Sequence, residues 1–213
     1  IALDHQEYLG NTIEEIAAEK AAIIGGRTRA AVIGPQLPEV NAVIDDRLFN
    51  VIDHESRVVR VTDTGPLPYE PGLKGKHQTE NARIAVELAN ILSADFYISK
   101  AAIGRGLANA RHPGRLEYSG DFLFDGAHNV AGAKALRDFL KSNEKHEITM
   151  IFGAMNGKDV SEMAEILYPL AENVVLTRPE NSRAMEPSDI GATLPDNLKN
   201  RTVATPTVKE ALA

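Results

Sequence analysis

The second half of the chain alternates short apolar runs with amphipathic segments, and this alternation restricts the possible folds more than any other feature. Strands are predicted at 122–125, 147–152, 173–177 and 202–205, and helices at 131–142, at 160–169 and after Pro187. Strands that are separated by helices pair in parallel through right-handed crossovers. The sequence therefore predicts an α/β domain with a mainly parallel sheet, similar to a Rossmann-type arrangement.

The first half predicts a second set of elements. Thr12 and Glu15 have the spacing of a helix capping box. Helices are predicted at 13–24, 38–49, 79–92 and 99–108, a strand at 30–33, and a strand with a loop at 51–61. The Pro- and Gly-containing stretch 111–115 interrupts this pattern, and we place the domain boundary there, giving domains at 1–112 and 113–213.

Composition narrows the classes of partner. The chain has 213 residues, 43% of them hydrophobic, and 30 acidic against 23 basic residues give a net charge of -7. A basic stripe is missing and aromatic residues are 5% of the chain, so we expect no nucleic-acid partner. No apolar run reaches bilayer length, and there is no cysteine, so we expect no membrane partner and a cytoplasmic location. No apolar stripe requires a particular oligomeric state.

The segment 122–129 ends an apolar run on polar side chains. Asp125, His128 and Asn129 follow Phe124 directly, and ligands of α/β proteins bind at such strand ends. A carboxylate there can bind hydroxyl groups, and an imidazole can approach phosphate. The alternative is that Asp125 and Asn129 only cap the following helix, because both residue types are favoured at helix starts.

Two further strand ends are expected on the same sheet edge as Asp125. They lie at Phe152-Gly153 and Thr177-Arg178, and each is followed by a cation, Lys158 and Arg183. A shared edge would make a binding cleft.

Three polar residues of the first half could have a functional role, but local structure alone can also explain them. Lys20 lies beside the packed face of its helix, where a lysine usually extends to water. His77 and Asn81 lie at the start of a helix, where polar side chains commonly bond to the backbone.

Several motifs together resemble the folylpolyglutamate synthase/dihydrofolate synthase family of Mur ligases. They are Leu3-Asp4-His5, the run from Leu9 to Ile24, His77-Gln78-x-x-Asn81, Pro113-Gly114-Arg115, Asp125-Gly126-Ala127-His128-Asn129, Phe152-Gly153 and Lys158-Asp159. The resemblance implies that 1–112 is the C-terminal part of a central ATP-binding domain. It also implies that 113–213 is a C-terminal ligase domain that closes over it.

The resemblance implies roles for six residues. His5 and Lys20 match the family's magnesium-binding histidine and its carbamylated lysine, and a carbamate supplies the oxygen ligands that Mg²⁺ prefers. Asn81 is implied to bind adenine, Arg115 the ATP phosphates and Asp125 the ribose. His128 is implied to lie near the γ-phosphate, and Lys20 and His128 to be catalytic.

The implied reaction is an amide ligation that uses ATP and Mg²⁺. The γ-phosphoryl group moves to a carboxylate of folate or dihydropteroate, and the amine of L-glutamate attacks the acyl phosphate. Whether one or both of these acceptors is used stays open. Catalysis of this kind depends on positioning and charge neutralisation.

The chain departs from the family pattern in two respects. Val130 stands where the family has proline, and the phosphate-binding motif Gly-x-x-x-x-Gly-Lys-Ser/Thr occurs nowhere. Ile1-Ala2-Leu3 is typical of the inside of a strand, and 207–213 of the start of a helix. We therefore expect a fragment that lacks the phosphate loop and a last strand, and that is inactive alone.

Two alternatives remain at this point. One is a different Mur-type ligase that joins another amino acid to a cell-wall or pterin-like acceptor. The other is a non-catalytic α/β binding module that has kept the fold without the nucleotide loop.

Overall fold

The computed structural model describes residues 1–4, 6–53, 55–62, 66–144 and 146–213. It confirms the α/β class with parallel strands. The chain divides into two compact units, Ile1–Phe124 and Asp125–Ala213. The sequence-based domain boundary at 112/113 stays a prediction.

The first unit combines helices with two short two-stranded sheets. Its elements are α1 (Gln6–Leu9), α2 (Ile13–Ala21), β1 (Ala30–Ile33), α3 (Pro38–Val51), β2 (Arg57–Arg60), α4 (Lys76–Phe96), α5 (Lys100–Ala108), β3 (Glu117–Ser119) and β4 (Phe122–Phe124). β1 and β2 pair in parallel. α2 and α3 pack beside them, around a core that includes Ala17, Ile33 and Val40.

Local chemistry explains where the helices of this unit begin. The predicted capping box of α2 is present, with Thr12 and Glu15 each bonded to the other's backbone. Pro38 opens α3, and Ser99 caps α5 by accepting from the N–H of Ala102. α4 begins at Lys76, earlier than predicted, because Gly75 adopts a φ of 96° and turns the chain into the helix.

The second unit contains a parallel sheet with helices packed against it. Its elements are α6 (Val130–Asn143), β5 (Thr149–Phe152), α7 (Val160–Leu167), a 3₁₀ turn (Tyr168–Leu170), β6 (Asn173–Leu176), α8 (Pro187–Thr193), α9 (Asp196–Lys199), β7 (Thr202–Ala204) and α10 (Val208–Ala211). The strand order is β5-β6-β7, and both pairs are parallel, as the alternation predicts. Met163, Tyr168 and Ile190 are fully buried in the core of this unit.

Two strand predictions are wrong. The run 122–125 does not join the parallel sheet: β4 pairs antiparallel with β3, and Phe122 and Phe124 are about half exposed. The reason is the two-residue connection Gly120-Asp121 with Gly120 at φ 58°, which favours a local hairpin. Ile1-Ala2-Leu3 forms no strand.

Within the described ranges, no helix combines the length and the apolar character that crossing a bilayer requires.

Candidate functional site

Asp125 and Asn129 use side-chain oxygens to fix the loop that leads into α6. The N–H of Ala127 donates to Oδ1 of Asp125 at 2.9 Å, which closes a short turn. Asn129 is the N-cap of α6, and its Oδ1 accepts from the N–H of Gly132 at 2.8 Å. The capping interpretation of Asn129 is therefore confirmed. Asp125 shapes the same loop, and the bond from Ala127 restricts the orientation of its carboxylate.

His128 is exposed at the tip of this loop. Its Nδ1 lies 2.8 Å from the carbonyl oxygen of Gly126. Because a carbonyl only accepts, Nδ1 must carry the proton in this contact. A second donation, from Nε2 to a phosphate, would then require the imidazolium form.

The ends of β5 and β6 lie next to each other, as predicted. The N–H of Thr177 donates to the carbonyl of Phe152 at 2.9 Å, and the loops beyond are joined by a bridge between Met155 and Ala184. A Cβ on Gly153 would lie 2.9 Å from the carbonyl oxygen of Thr177, so only glycine fits there. Thr177 is 2% exposed.

The cations that follow these strands lie in loops with their own hydrogen bonds. Asp159, next to Lys158, caps α7 by accepting from the N–H of Glu162. Arg183 is exposed, and its carbonyl accepts from the N–H of Asn156 at 2.8 Å. β4 is not part of this sheet, so the prediction that Asp125 leaves the same sheet edge is wrong.

His77 and Asn81 lie on the first two turns of α4, in the first unit. Neither of them caps the helix, since the N-cap is Gly75 and no side chain bonds there. Nδ2 of Asn81 donates to Oε1 of Gln78 at 3.2 Å, and the Asn81 side chain is exposed. An exposed amide at the first turns of a long helix can donate to and accept from a base edge.

Arg115 lies in a tight turn of the first unit. Its N–H donates to the carbonyl of His112 at 3.2 Å, and Gly114 has a φ of 69°. The Arg115 side chain is half-buried, yet within the described ranges its guanidinium has no hydrogen-bond acceptor and no ion-pair partner. Five N–H donors without an acceptor are suited to a phosphate or a carboxylate.

Lys20 is exposed in the last turn of α2, as the snorkelling interpretation expects. It lines an apolar groove of about 570 Å³ beside β1, together with Ile1 and Gln36.

The predicted magnesium site was tested against the donor atoms present. His5 lies outside the described residues. Among the residues that the structure describes, no group of three or more His, Asp or Glu side chains could hold a metal ion. An unmodified Lys20 ammonium repels Mg²⁺, so the described residues do not fit a magnesium site without the carbamate.

Sequence reasoning missed one residue beside the predicted site. Leu116 follows Arg115, is 3% exposed and has a φ of 45°. A single apolar residue after Pro-Gly-Arg was the only available signal. Its side chain reaches Gly75 at the start of α4, so the structure brings the segment of Arg115 next to the helix of His77 and Asn81.

Comparison with known proteins gave a consistent set of relatives. Residues 114–213 match the family model described as Mur ligase, glutamate ligase domain. A probable dihydrofolate synthetase of Schizosaccharomyces pombe is 32% identical over 200 residues, which are 83% of this chain and 48% of that protein. A dihydrofolate synthase/folylpolyglutamate synthase of Mycobacterium tuberculosis is 32% identical over 218 residues, which are 87% of this chain and 45% of that protein.

Solved structures gave the same result at the level of the fold. A Mycobacterium tuberculosis folylpolyglutamate synthase complexed with ADP superposes with a TM-score of 0.83 and 27% identity. The match covers 100% of this chain and 53% of that chain. This chain thus spans about half the length of these relatives.

Proposed function

We propose, from the match of residues 114–213 to the family model described as Mur ligase, glutamate ligase domain, that the complete protein is an ATP-dependent ligase that joins L-glutamate to folate or dihydropteroate. The observation that carries the proposal is the match of this domain, which starts at the turn of Arg115. Relatives named for dihydrofolate and folylpolyglutamate synthesis support the choice of acceptor.

The chemistry requires a phosphoryl transfer followed by an acyl transfer. An oxygen of the acceptor carboxylate attacks the γ-phosphorus of ATP, and ADP leaves. The amine of glutamate then attacks the carbonyl carbon of the acyl phosphate, loses a proton and releases inorganic phosphate. Both steps bring negatively charged groups together, so the protein must supply positive charge and fixed donors.

We assign four side chains to ATP. Arg115 binds the phosphates through its guanidinium, which has no acceptor within the described ranges. Asn81 binds adenine through its exposed amide. Asp125 binds the ribose hydroxyls, and His128, in its imidazolium form, donates to the γ-phosphate while Nδ1 remains bonded to Gly126.

Mg²⁺ is the proposed metal, held by His5 and by Lys20 in carbamylated form. The metal would neutralise phosphate charge when it is bound. Lys20 is exposed beside the apolar groove, so its amino group is accessible to this modification. Since the substrates are ATP, glutamate and a folate, we also propose a cytoplasmic location.

The test uses the complete polypeptide that carries this chain. Purified protein is incubated with ATP, Mg²⁺, radiolabelled glutamate and, in separate reactions, dihydropteroate, tetrahydrofolate or a muramyl acceptor. We expect label in a pterin-containing product and none in the muramyl reaction. Label only in the muramyl product would indicate the other type of ligase, and absence of ATP-dependent labelling would refute the proposal.

Arg115→Ala is the decisive variant, with Arg105→Ala as its matched control. Arg105 is an exposed arginine of α5 with no assigned role. Hydrogen bonds to charged groups are worth about 1.5–3 kcal/mol, so R115A should lower kcat/KM for ATP roughly 10- to 100-fold. R105A should leave it unchanged.

A further inference from the structure

We propose that Leu116 is a positioning residue for Arg115: its buried side chain anchors the turn to the start of α4 and thereby fixes where the guanidinium meets ATP. This inference rests on the proposed function, because Arg115 has a phosphate to meet only if ATP binds. It concerns residues of the first unit alone.

The anchor is a close contact between Leu116 and the backbone of Gly75. A Cβ added to Gly75 would lie 2.8 Å from Cδ1 of Leu116 and 3.0 Å from Cε1 of His77. The leucine methyl group therefore occupies the space that a side chain at position 75 would need. Gly75 is the N-cap of α4, so the contact joins the turn to the residue that leads into that helix.

The backbone of Leu116 supports the same conclusion. Its φ of 45° lies in the left-handed region, which costs a leucine free energy. Within the described ranges, the other non-glycine residue with positive φ is Tyr97, which ends α4 and is almost fully exposed. Tyr97 follows a common way of ending a helix, whereas Leu116 ends no helix. Burial of its side chain helps to offset the strained backbone.

Further contacts hold the chain on both sides of this anchor. Before it, the N–H of Gly114 donates to Oε2 of Glu117 at 2.8 Å. After it, Nζ of Lys74 lies 4.2 Å from the ring centre of Tyr118, which is the geometry of a cation–π contact. The bond of Gly114 closes the turn itself, whereas the contacts of Leu116 with Gly75 and of Tyr118 with Lys74 attach it to the segment that precedes α4 at two points.

The position of the Arg115 guanidinium depends on its backbone. No described side chain or carbonyl accepts from it, so nothing beyond the backbone orients it before a ligand arrives. Consecutive Cα atoms are about 3.8 Å apart, so a fixed Leu116 limits the position of the Arg115 Cα, from which the side chain extends. Since Asn81 is on α4, one contact links the group assigned to the phosphates with the group assigned to adenine.

The experiment compares Leu116→Ala with Leu48→Ala in the complete protein. Leu48 is a buried leucine of α3 in the same unit, far in sequence from the turn, and it is 7% exposed against 3% for Leu116. We expect L116A to raise KM for ATP roughly tenfold or more, because a displaced guanidinium loses charge-assisted hydrogen bonds to the phosphates. KM for glutamate should not change, and L48A should leave both constants at the wild-type values.

Two more variants separate anchoring from general packing. Leu116→Met keeps a long apolar side chain and should restore KM for ATP. Leu116→Gly removes the side chain together with the backbone strain, so it should fold even if L116A does not, and it should show the raised KM. Limited trypsin digestion should cleave after Arg115 faster in L116A and L116G than in the wild type and L48A.

The outcomes distinguish two failures. If the wild-type protein shows no ATP-dependent turnover, the proposed function is refuted, and the inference with it. If the wild type turns over ATP but L116A and L116G have the same KM for ATP as L48A, or if faster cleavage occurs without a change in KM, the inference alone is refuted.

Discussion

In the role proposed for Arg115 at the ATP phosphates, the shape of its side chain should matter as well as its charge. A guanidinium offers two parallel N–H groups to two oxygens of one phosphate, whereas an ammonium offers a compact charge. We therefore predict that Arg115→Lys lowers kcat/KM for ATP by roughly tenfold, less than the loss in R115A. Steady-state kinetics with varied ATP measures this. Wild-type kinetics in R115K would mean that the residue supplies only charge.

Glu15 gives the stability of the first unit a dependence on pH. The N–H groups of Asn11 and Thr12 donate to its Oε2 at 2.7 and 3.1 Å and lower the pKa of this carboxyl below its ordinary value. A carboxyl whose pKa is lowered by folding stabilises the fold above its unfolded pKa. This contribution is lost as the pH falls through the folded pKa.

We predict that Glu15→Gln makes the free energy of unfolding less dependent on pH in that acidic range. Urea unfolding at several pH values on the acid side measures it. Glu14→Gln is the control, since Glu14 lies in the same turn and its side chain makes no hydrogen bond within the described ranges. An equal flattening in both variants would contradict the role of Glu15.

Single residues show where prediction from sequence stops. Asn129 and Thr12 could be identified as caps because the bonds they make are local in sequence. The left-handed Leu116 could not, because its conformation is set by a contact with Gly75, distant in the chain. Ile23 falls within the predicted helix 13–24 but is 88% exposed, since α2 ends at Ala21 and the helical periodicity no longer applies.

At the level of elements, two glycines in α5 have opposite surroundings. A Cβ on Gly104 would lie 2.9 Å from Cδ1 of Tyr69, whereas a Cβ on Gly106 would meet nothing within 4 Å. Alanine is more favourable than glycine inside a helix by about 1 kcal/mol. Gly106→Ala should therefore gain up to about this amount of stability, while in Gly104→Ala the clash should offset the gain and leave a loss of about 1 kcal/mol or more.

Urea unfolding of the two variants checks this prediction. Both substitutions add the same methyl group to the same helix, so each serves as the control for the other. Equal changes in the free energy of unfolding would show that Tyr69 can move away from α5 at no cost.

The elements that were predicted well are those whose pairing follows from connectivity. β5, β6 and β7 are joined through helices, and parallel pairing is the consequence. β4 was assigned to the same sheet because its apolar run resembles a buried strand, but the short turn at Gly120 pairs it with β3 first. The geometry of the local turn, and not the alternation of strands and helices along the chain, decides how β4 pairs. Asp125 therefore does not follow a strand of the parallel sheet.

At the scale of the whole molecule, each unit has a hydrophobic core of its own. The core of the second unit is built by α6, α7, α8 and the parallel strands, and that of the first unit by α2, α3 and β1. The predicted ligand-binding residues are divided between the two, with Asn81 and Arg115 in one and Asp125 and His128 in the other. A sequence pattern could locate these residues on their elements, but it contains no information about the distances between them in the folded chain.

The last prediction concerns the 213-residue chain as a molecule. A triphosphate is usually held by a cradle of backbone N–H groups, and the motif that builds this cradle, Gly-x-x-x-x-Gly-Lys-Ser/Thr, does not occur in these residues. The chain also spans only 48% and 45% of two relatives with named synthase activity. We therefore predict that the purified chain 1–213, shown to be folded by circular dichroism, incorporates no labelled glutamate into a folate or dihydropteroate. The complete polypeptide, assayed in parallel, should do so. ATP-dependent incorporation by 1–213 alone would show that Arg115, His128 and their neighbours bind the phosphates well enough without such a loop.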